Sequence, residues 1–267
     1  MPVGLRYRSV DRRRTDTPKD RAAFAKVRKA EKQYATQLRK VARHVGDIIR
    51  NHHPETSDGM AEIRAILAKY AEVIEPWAKV AAGRMIADVG RRDEKAWEAN
   101  SQAMGRALRE ELANAPTGQF LRAKLAENVG LIKSLPIEAA QRVHRLTLEG
   151  INNATRAGEI AKEIGRSGEV TVARANMIAR TEVSRTASGL VEARSRHVGS
   201  EGYIWRTVGD SDVRNKDGNP VGSHRLLNGK FIRWDSPPVA STNGDRYHAG
   251  CGPNCRCYPE PVLPEDY

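Results

Sequence analysis

Cysteine is nearly absent from this sequence, with three residues in 267. A framework of several disulfides is thereby excluded. Aromatic residues are scarce as well, at 5% of the chain, and hydrophobic residues of all kinds reach 39%. That is thin for a compact enzyme core but ordinary for long amphipathic helices. No apolar run approaches the roughly 20 residues that cross a bilayer. The opening residues, MPVGLRYRSVDRRRTD, lack the apolar core of a signal peptide. The expectation is a soluble protein made in a cytoplasm, with no membrane partner, where clustered thiols bind metal or stay free rather than forming structural disulfides.

Acidic residues are outnumbered, and the imbalance is local. The formal net charge is +12, and residues 1–53 hold fifteen Lys and Arg against five Asp and Glu. A patch this basic releases counterions from a phosphate backbone or docks on an acidic protein surface. Its candidate contacts are Arg12, Arg13, Arg14, Arg21, Lys26, Arg28 and Lys29. Only Tyr7, Phe24 and Tyr34 interleave with the basic residues, so binding to double-stranded DNA would be electrostatic and blind to sequence.

Helical rhythm fills the first two thirds. Residues 1–16 read as a basic arm, and Thr17-Pro18 as a helix start. Phe24, Val27, Glu31, Tyr34, Leu38, Val41, Val45 and Ile48 then recur at spacings of three and four, an apolar seam broken only by Glu31. His52, His53 and Pro54 end that helix, with a histidine favoured at its C-terminal dipole. Ser57 can cap a second helix, whose seam is Met60, Ile63, Leu67, Tyr70, Ile74, Trp77 and Ala81; Pro76 predicts a kink or fresh start near Glu75. The two seams should pair as a helical hairpin, or with copies in a neighbouring subunit. Helical sequence continues to about Leu112, and Asn114-Ala115-Pro116-Thr117-Gly118 marks a boundary between residues 1–116 and 117–267.

Beyond that boundary come a short helix over Leu121–Asn128, another started by Pro136, a short one over Gly158–Ile164, and a long one over Val170–Val198. Within the long helix, Glu182 and Arg185 share a face at i,i+3. Strand-like residues follow at Tyr203–Val208 and Lys230–Trp234, with Asn228-Gly229 as a turn. The fold class is α+β: mostly helical, with a long N-terminal hairpin and a C-terminal small-sheet module closed by a Cys/His cluster.

That cluster is the densest chemistry in the chain. Cys251, Cys255 and Cys257 fall within seven residues, with His248 just before them and His224 upstream. Thiolates and imidazoles suit tetrahedral Zn²⁺, which also contributes folding energy to a small irregular module. The spacing matches no standard finger pattern. A disulfide from Cys251 to Cys255 or Cys257 is feasible, whereas Cys255 and Cys257 are too close to pair comfortably. Reduced thiols packed at the end of a small sheet are the third reading.

The order NVGLIKSLP, IARTEVSRTA, W-x-T-x-x-D, H-x-x-L-N-G and NCRC resembles the phage Mu F-like family of minor head proteins, from about Thr117 to Tyr267. The resemblance implies a component of the virion, in the head interior near the portal, acting in head morphogenesis and in DNA packaging or ejection. Its implied partners are portal and capsid proteins, and its motif maps to Arg180, Thr181, Glu182, Trp205, Thr207, Asp210, Arg214, His224, Leu227, Gly229, Cys255 and Cys257. No catalytic activity comes with it. Nine residues, NKDGNPVGS, separate Arg214 from His224, more than the family usually places there. His248 and Cys251 could therefore take the place of His224. Some relatives continue into a toxin or enzyme domain after the cysteine motif; with ten residues following Cys257, none is expected here.

Two functions follow from different classes. One is a structural head protein whose zinc, if present, is structural. The other is a metal-dependent hydrolase, such as a nuclease, using His224 or His248 with Asp210 around the ion. Several thiolates in the cluster favour the structural reading, because they quench the Lewis acidity a hydrolase needs.

Overall fold

The computed structural model describes residues 27–101, 114–153, 155–208 and 222–263. Arg12, Arg13, Arg14, Arg21 and Lys26, the expected helix start at Thr17-Pro18, and Asp210 and Arg214 lie outside them. In chain order the elements are α1 (Val27–Asn51), α2 (Ser57–Val73), α3 (Glu75–Ser101), α4 (Thr117–Asn152), α5 (Ala157–Gly165), α6 (Ser167–His197), β1 (Gly202–Arg206), α7 (His224–Leu227), β2 (Phe231–Arg233) and β3 (Tyr258–Val262). The fold is α+β and mostly helical, with one small antiparallel sheet near the C-terminus.

Two compact units divide the chain. One is purely helical, from Lys32–Met85 and Leu125–Ala179; the other takes Met1–Glu31, Ile86–Lys124 and Arg180–Tyr267 and holds the sheet. In the helical unit the two predicted seams meet: Val45, Ile48 and Ile49 of α1 pack with Ile63 and Leu67 of α2. Ala139 and Val143 of α4 and Ile164 of α5 complete that core, so the hairpin does not stand alone.

The ends of α1 and α2 have definite causes. His52 donates from Nδ1 to the carbonyl of Ile48 at 2.8 Å, the helix-end role expected of it. The cap of α2 is Thr56 rather than Ser57. Its backbone is extended (φ −111°, ψ 150°), and its hydroxyl accepts from the amide of Gly59 at 3.0 Å. Gly59 is obligatory there, since a Cβ would lie 2.1 Å from the carbonyl oxygen of His53. The fresh start predicted by Pro76 occurs, with Ile74 between α2 and α3.

Pro136 behaves otherwise. It starts no helix but lies inside the 36-residue α4, which runs through the expected break after Asn128. A proline in a helix interior costs about 3 kcal/mol. Against that stand Ile132, Leu135, Ala139 and Val143, all buried on the same helix, and a buried Leu or Ile contributes ~1.5–3 kcal/mol. Burial wins.

The sheet has the order β2-β1-β3. β1 pairs antiparallel with β2 (Tyr203 opposite Ile232) and with β3 (Tyr203 opposite Pro261, Trp205 opposite Pro259). Because proline has no N–H, the ladder bonds of β3 fall on the alternate residues. The nitrogens of Pro259 and Pro261 then face the outer edge, which lacks donors there for another strand. Tyr203, Trp205, Ile232 and Trp234 form the core of this unit with Val191 and Val198, Trp97, Ala240, Ala249, Cys255 and Cys257.

Candidate metal centre

His224 opens the one-turn helix α7. Ser223 caps it, accepting from the amide of Leu226 at 3.3 Å. Gly222 before it has φ +72° and leaves no room for a Cβ, which would meet the backbone of Ser241 at 2.3 Å. The turn is thereby fixed and the ring is held inside the core, 2% exposed and edge-on to Trp205 with centroids 5.2 Å apart.

The ring's tautomer follows from one bond. Nε2 lies 3.0 Å from the carbonyl oxygen of Ala240, and a carbonyl only accepts, so Nε2 carries the proton. Tyr247 donates its hydroxyl to the same oxygen. In the neutral ring Nδ1 is then a lone pair, 3.5 Å from Sγ of Cys255 and 3.4 Å from Sγ of Cys257. One lone pair cannot accept from two S–H groups at near-equal distance. An ion between the three atoms satisfies all of them: with metal–sulfur and metal–nitrogen bonds of about 2.3 and 2.0 Å, tetrahedral coordination puts nitrogen and sulfur roughly 3.5 Å apart. The three ligand atoms lie within 4.8 Å of one another, and all three residues are buried. The imidazole-to-carbonyl bond is also the usual support of a metal-binding histidine. The donor set fits a thiophilic metal ion.

Electrostatics point the same way. The thiol of Cys257, hydrogen-bonded to Cys255, holds the Cys255 thiol well below the usual thiol range, although burial opposes it; His224 adds to the effect. Cys251 behaves in the opposite sense. Burial, and then the neighbouring Cys255, push its thiol up to about 12. All three cysteines are free, with no disulfide among them.

Of the five expected ligands, then, the structure brings three together: His224, Cys255 and Cys257. His248 and Cys251 are not in that group. His248 is engaged elsewhere: its Nδ1 lies 3.2 Å from the Tyr203 hydroxyl, and the backbone of Trp234 hydrogen-bonds the ring. Burial accordingly lowers its pKa. The long spacer before His224 does not keep it from the cysteines.

The motif on α6 holds the cysteine loop from outside. Arg185 donates from Nε to the carbonyl of Cys251 at 2.7 Å. Thr181 accepts the amide of Asn254 at 3.0 Å. Gly250, at φ +81°, lies so close to α6 that a Cβ would meet the Ser188 hydroxyl at 2.2 Å and the Cys257 carbonyl at 2.9 Å. Glu182 is 2% exposed, 3.3 Å from Arg185 and 3.7 Å from Lys124. Arg180 and Arg256 both reach Oε1 of Glu31, at 3.2 and 3.4 Å. Glu31, the acid that broke the apolar seam, is thus an anchor for the arginine between the two ligand cysteines.

Trp205, Thr207 and Gly229 of the motif shape the sheet. Trp205 is fully buried. The amide of Thr207 donates to the side chain of Asn228 at 3.0 Å, and Gly229 turns at φ +80° with its amide on the Trp205 carbonyl at 2.8 Å. Arg28 and Lys29 are exposed at the start of α1. Sequence reasoning missed Glu31, Lys124, Tyr247 and the Ala240 carbonyl, which come from distant stretches, and Ser188, which shares its helix with the motif.

Residues 141–259 match the family model described as Phage Mu protein F like protein. That span runs from α4 to the second residue of β3 and contains the whole ligand set. An uncharacterized protein of Haemophilus influenzae is 30% identical over 153 residues, covering 57% of this chain and 32% of the relative. The chain therefore spans about a third of the length of that curated relative. No solved structure matches.

Proposed function

We propose, taking the Phage Mu protein F like module of residues 141–259 as the premise, that this chain is a minor head protein of a tailed phage or prophage. In this reading it resides in the virion's head interior and acts in head morphogenesis by binding portal or capsid protein. The module's match to the family carries the reading. Basic residues of the N-terminal region, with Arg28 and Lys29 exposed among them, make non-specific phosphate contacts or dock on an acidic partner. No helix among the described residues is long and apolar enough to cross a membrane.

Zinc is the ion the cluster suits best, with His224, Cys255 and Cys257 as its ligands. Bound there, it would cross-link α7 to the cysteine loop and so stabilise the sheet module. A ligand set of one imidazole and two thiolates also occurs at catalytic zinc, which keeps a position open to substrate. Here all three ligands are buried, and no described carboxylate joins the group. The structural role is favoured for that reason.

Two measurements test this. Protein purified without added metal should carry about one zinc per chain, and Cys257→Ser should abolish it while the helical circular dichroism persists. The chain should also co-sediment with procapsids assembled around its portal. Zinc-free protein of full stability sinks the metal, and procapsids that never retain the chain sink the head-protein reading. Metal-dependent DNA cleavage abolished by Asp210→Ala would restore the hydrolase.

A further inference from the structure

One face of α4 is apolar and turned to solvent. Ile137, Leu148 and Ile151 are 41%, 47% and 67% exposed. They fall on a single stripe, because Ile137, His144 and Ile151 are seven residues apart, close to two turns of helix, and Leu148 lies four residues beyond His144. His144 is exposed with them. The opposite side of the helix already supplies the core, through Ile132, Leu135, Ala139 and Val143, so the stripe is not the buried face of an ordinary amphipathic helix. The charges beside the stripe are spent within the chain. Lys133 pairs with Glu75 at 2.6 Å, Arg145 with Glu149 at 3.7 Å, and Arg174 grips Glu138 with Nε and Nη2 at 3.0 and 3.2 Å. On a chain of formal net charge +12, this face offers neither a phosphate backbone nor an acidic surface an unpaired cation to grip.

We propose that α4 pairs antiparallel with α4 of a second copy of this chain, about a twofold axis at His144. A twofold contact sets residue i against j and j against i, so the patch has to be its own complement. This stripe is. Turned end for end about His144, it sets Ile137 against Ile151 and Ile151 against Ile137, each seven residues from the axis. Leu148 then meets Ala140, which is half-buried on the helix, and a large side chain faces a small one on both sides of the axis. Neutrality fits the same occupant, since near a twofold axis an unpaired charge would meet its own kind. A contact of one helix with its copy is smaller than a standard interface, so the dimer is weak and reversible. The surface is separate from the cysteine cluster and does not depend on the head-protein reading.

The test is sedimentation equilibrium of the full-length protein over a concentration series reaching about 200 µM, where a weak interface is populated. A reversible monomer–dimer equilibrium is expected. Ile151→Glu, exposed and so without cost to the fold, should weaken it by at least about tenfold, because the new charge has to be desolvated on pairing. Glu62→Lys, exposed on α2, should leave it unchanged. Cysteine trapping reads the register. His144→Cys should form a covalent dimer on its own under mild oxidation. Ile137→Cys and Ile151→Cys should cross-link when mixed and not singly, and Glu62→Cys should not cross-link. A chain that stays monomeric throughout assigns the stripe to some other partner and overturns the proposal, as does a dimer that Ile151→Glu leaves intact. Covalent dimers from Ile137→Cys alone, with none from the mixture, overturn the antiparallel register.

Discussion

Removing the Arg185 side chain is the sharpest test of how α6 organises the cysteine loop. Two interactions go at once: the 2.7 Å bond to the Cys251 carbonyl and the 3.3 Å contact with Glu182. A hydrogen bond from a charged donor contributes ~1.5–3 kcal/mol. The Arg185 side chain is 36% exposed, which argues for the lower end. Glu182 loses more, because its side chain is 2% exposed and Lys124 stands farther off, at 3.7 Å; taking one partner from a buried acceptor costs up to about 3 kcal/mol. Together the loss should be about 3 kcal/mol, which in a protein of this size lowers Tm by roughly 6–12 °C. Arg185→Lys should recover little, since one ammonium cannot span both acceptors. Glu182→Gln added to Arg185→Ala should recover part of the loss by removing the buried negative charge that no longer meets Arg185. The assays are thermal melting by circular dichroism and the rate at which a chromogenic chelator strips metal. If Arg185→Ala melts within about 1 °C of the native protein and yields its metal no faster, the loop is not held from α6 and the reasoning fails.

Gly250→Ala should destabilise far more than Gly229→Ala, by several kcal/mol against about 1 kcal/mol in urea unfolding. Both positions have φ near +80°, but only Gly250 also has α6 and the Cys257 carbonyl in the way of a Cβ. Glu31→Gln should cost about 2 kcal/mol in the same assay, because two arginines share that carboxylate; an effect no larger than Lys29→Ala would remove Glu31 from the account. Glu75 gives a pH signature. Lys133, and then Lys79, hydrogen-bond its carboxylate and lower its pKa from 4.5 to about 2. A depressed folded-state pKa stabilises above the unfolded value and is lost as pH falls through the folded one. The stability gap between the native protein and Glu75→Gln should therefore narrow from pH 4.5 towards pH 2 and shrink with added salt; a gap independent of pH across that window contradicts the assignment.

Local periodicity made most of the helical unit legible. The seams of α1 and α2 follow from spacings of three and four residues, which bury one face whatever the partner, and the interruption between α2 and α3 follows from Pro76. What failed was a rule overruled from afar. Pro136 reads as a helix start by local chemistry, yet α4 continues because its face at Ile132, Leu135 and Ala139 is buried in the fold. β3 was missed because Tyr258-Pro-Glu-Pro-Val looks unlike a strand. Prolines are tolerated only at an edge, and edge position is a property of the assembled sheet.

The candidate metal centre shows the same division at the level of chemistry. Residue type and crowding identified the cysteines, but choosing between His224 and His248 needed the partners of each ring. A histidine can ligate only through a nitrogen that nothing else occupies. His224 spends one nitrogen on a carbonyl and turns the other to sulfur, whereas His248 turns its Nδ1 to a tyrosine hydroxyl and bonds a backbone group. Sequence distance is a poor guide to that choice: His248 stands three residues from Cys251, and His224 comes from 31 residues before Cys255. The family motif is scattered along the chain for a related reason. Arg180, Thr181 and Glu182 ligate nothing themselves. Arg185 holds the backbone carbonyl of Cys251 and Thr181 the backbone amide of Asn254, while Arg180 shares the Glu31 carboxylate with the Arg256 side chain, beside three side-chain atoms that lie within 4.8 Å of one another. The helix and the cysteines therefore act as one device, and a substitution on α6 with no contact to any ligand should register as weakened metal retention.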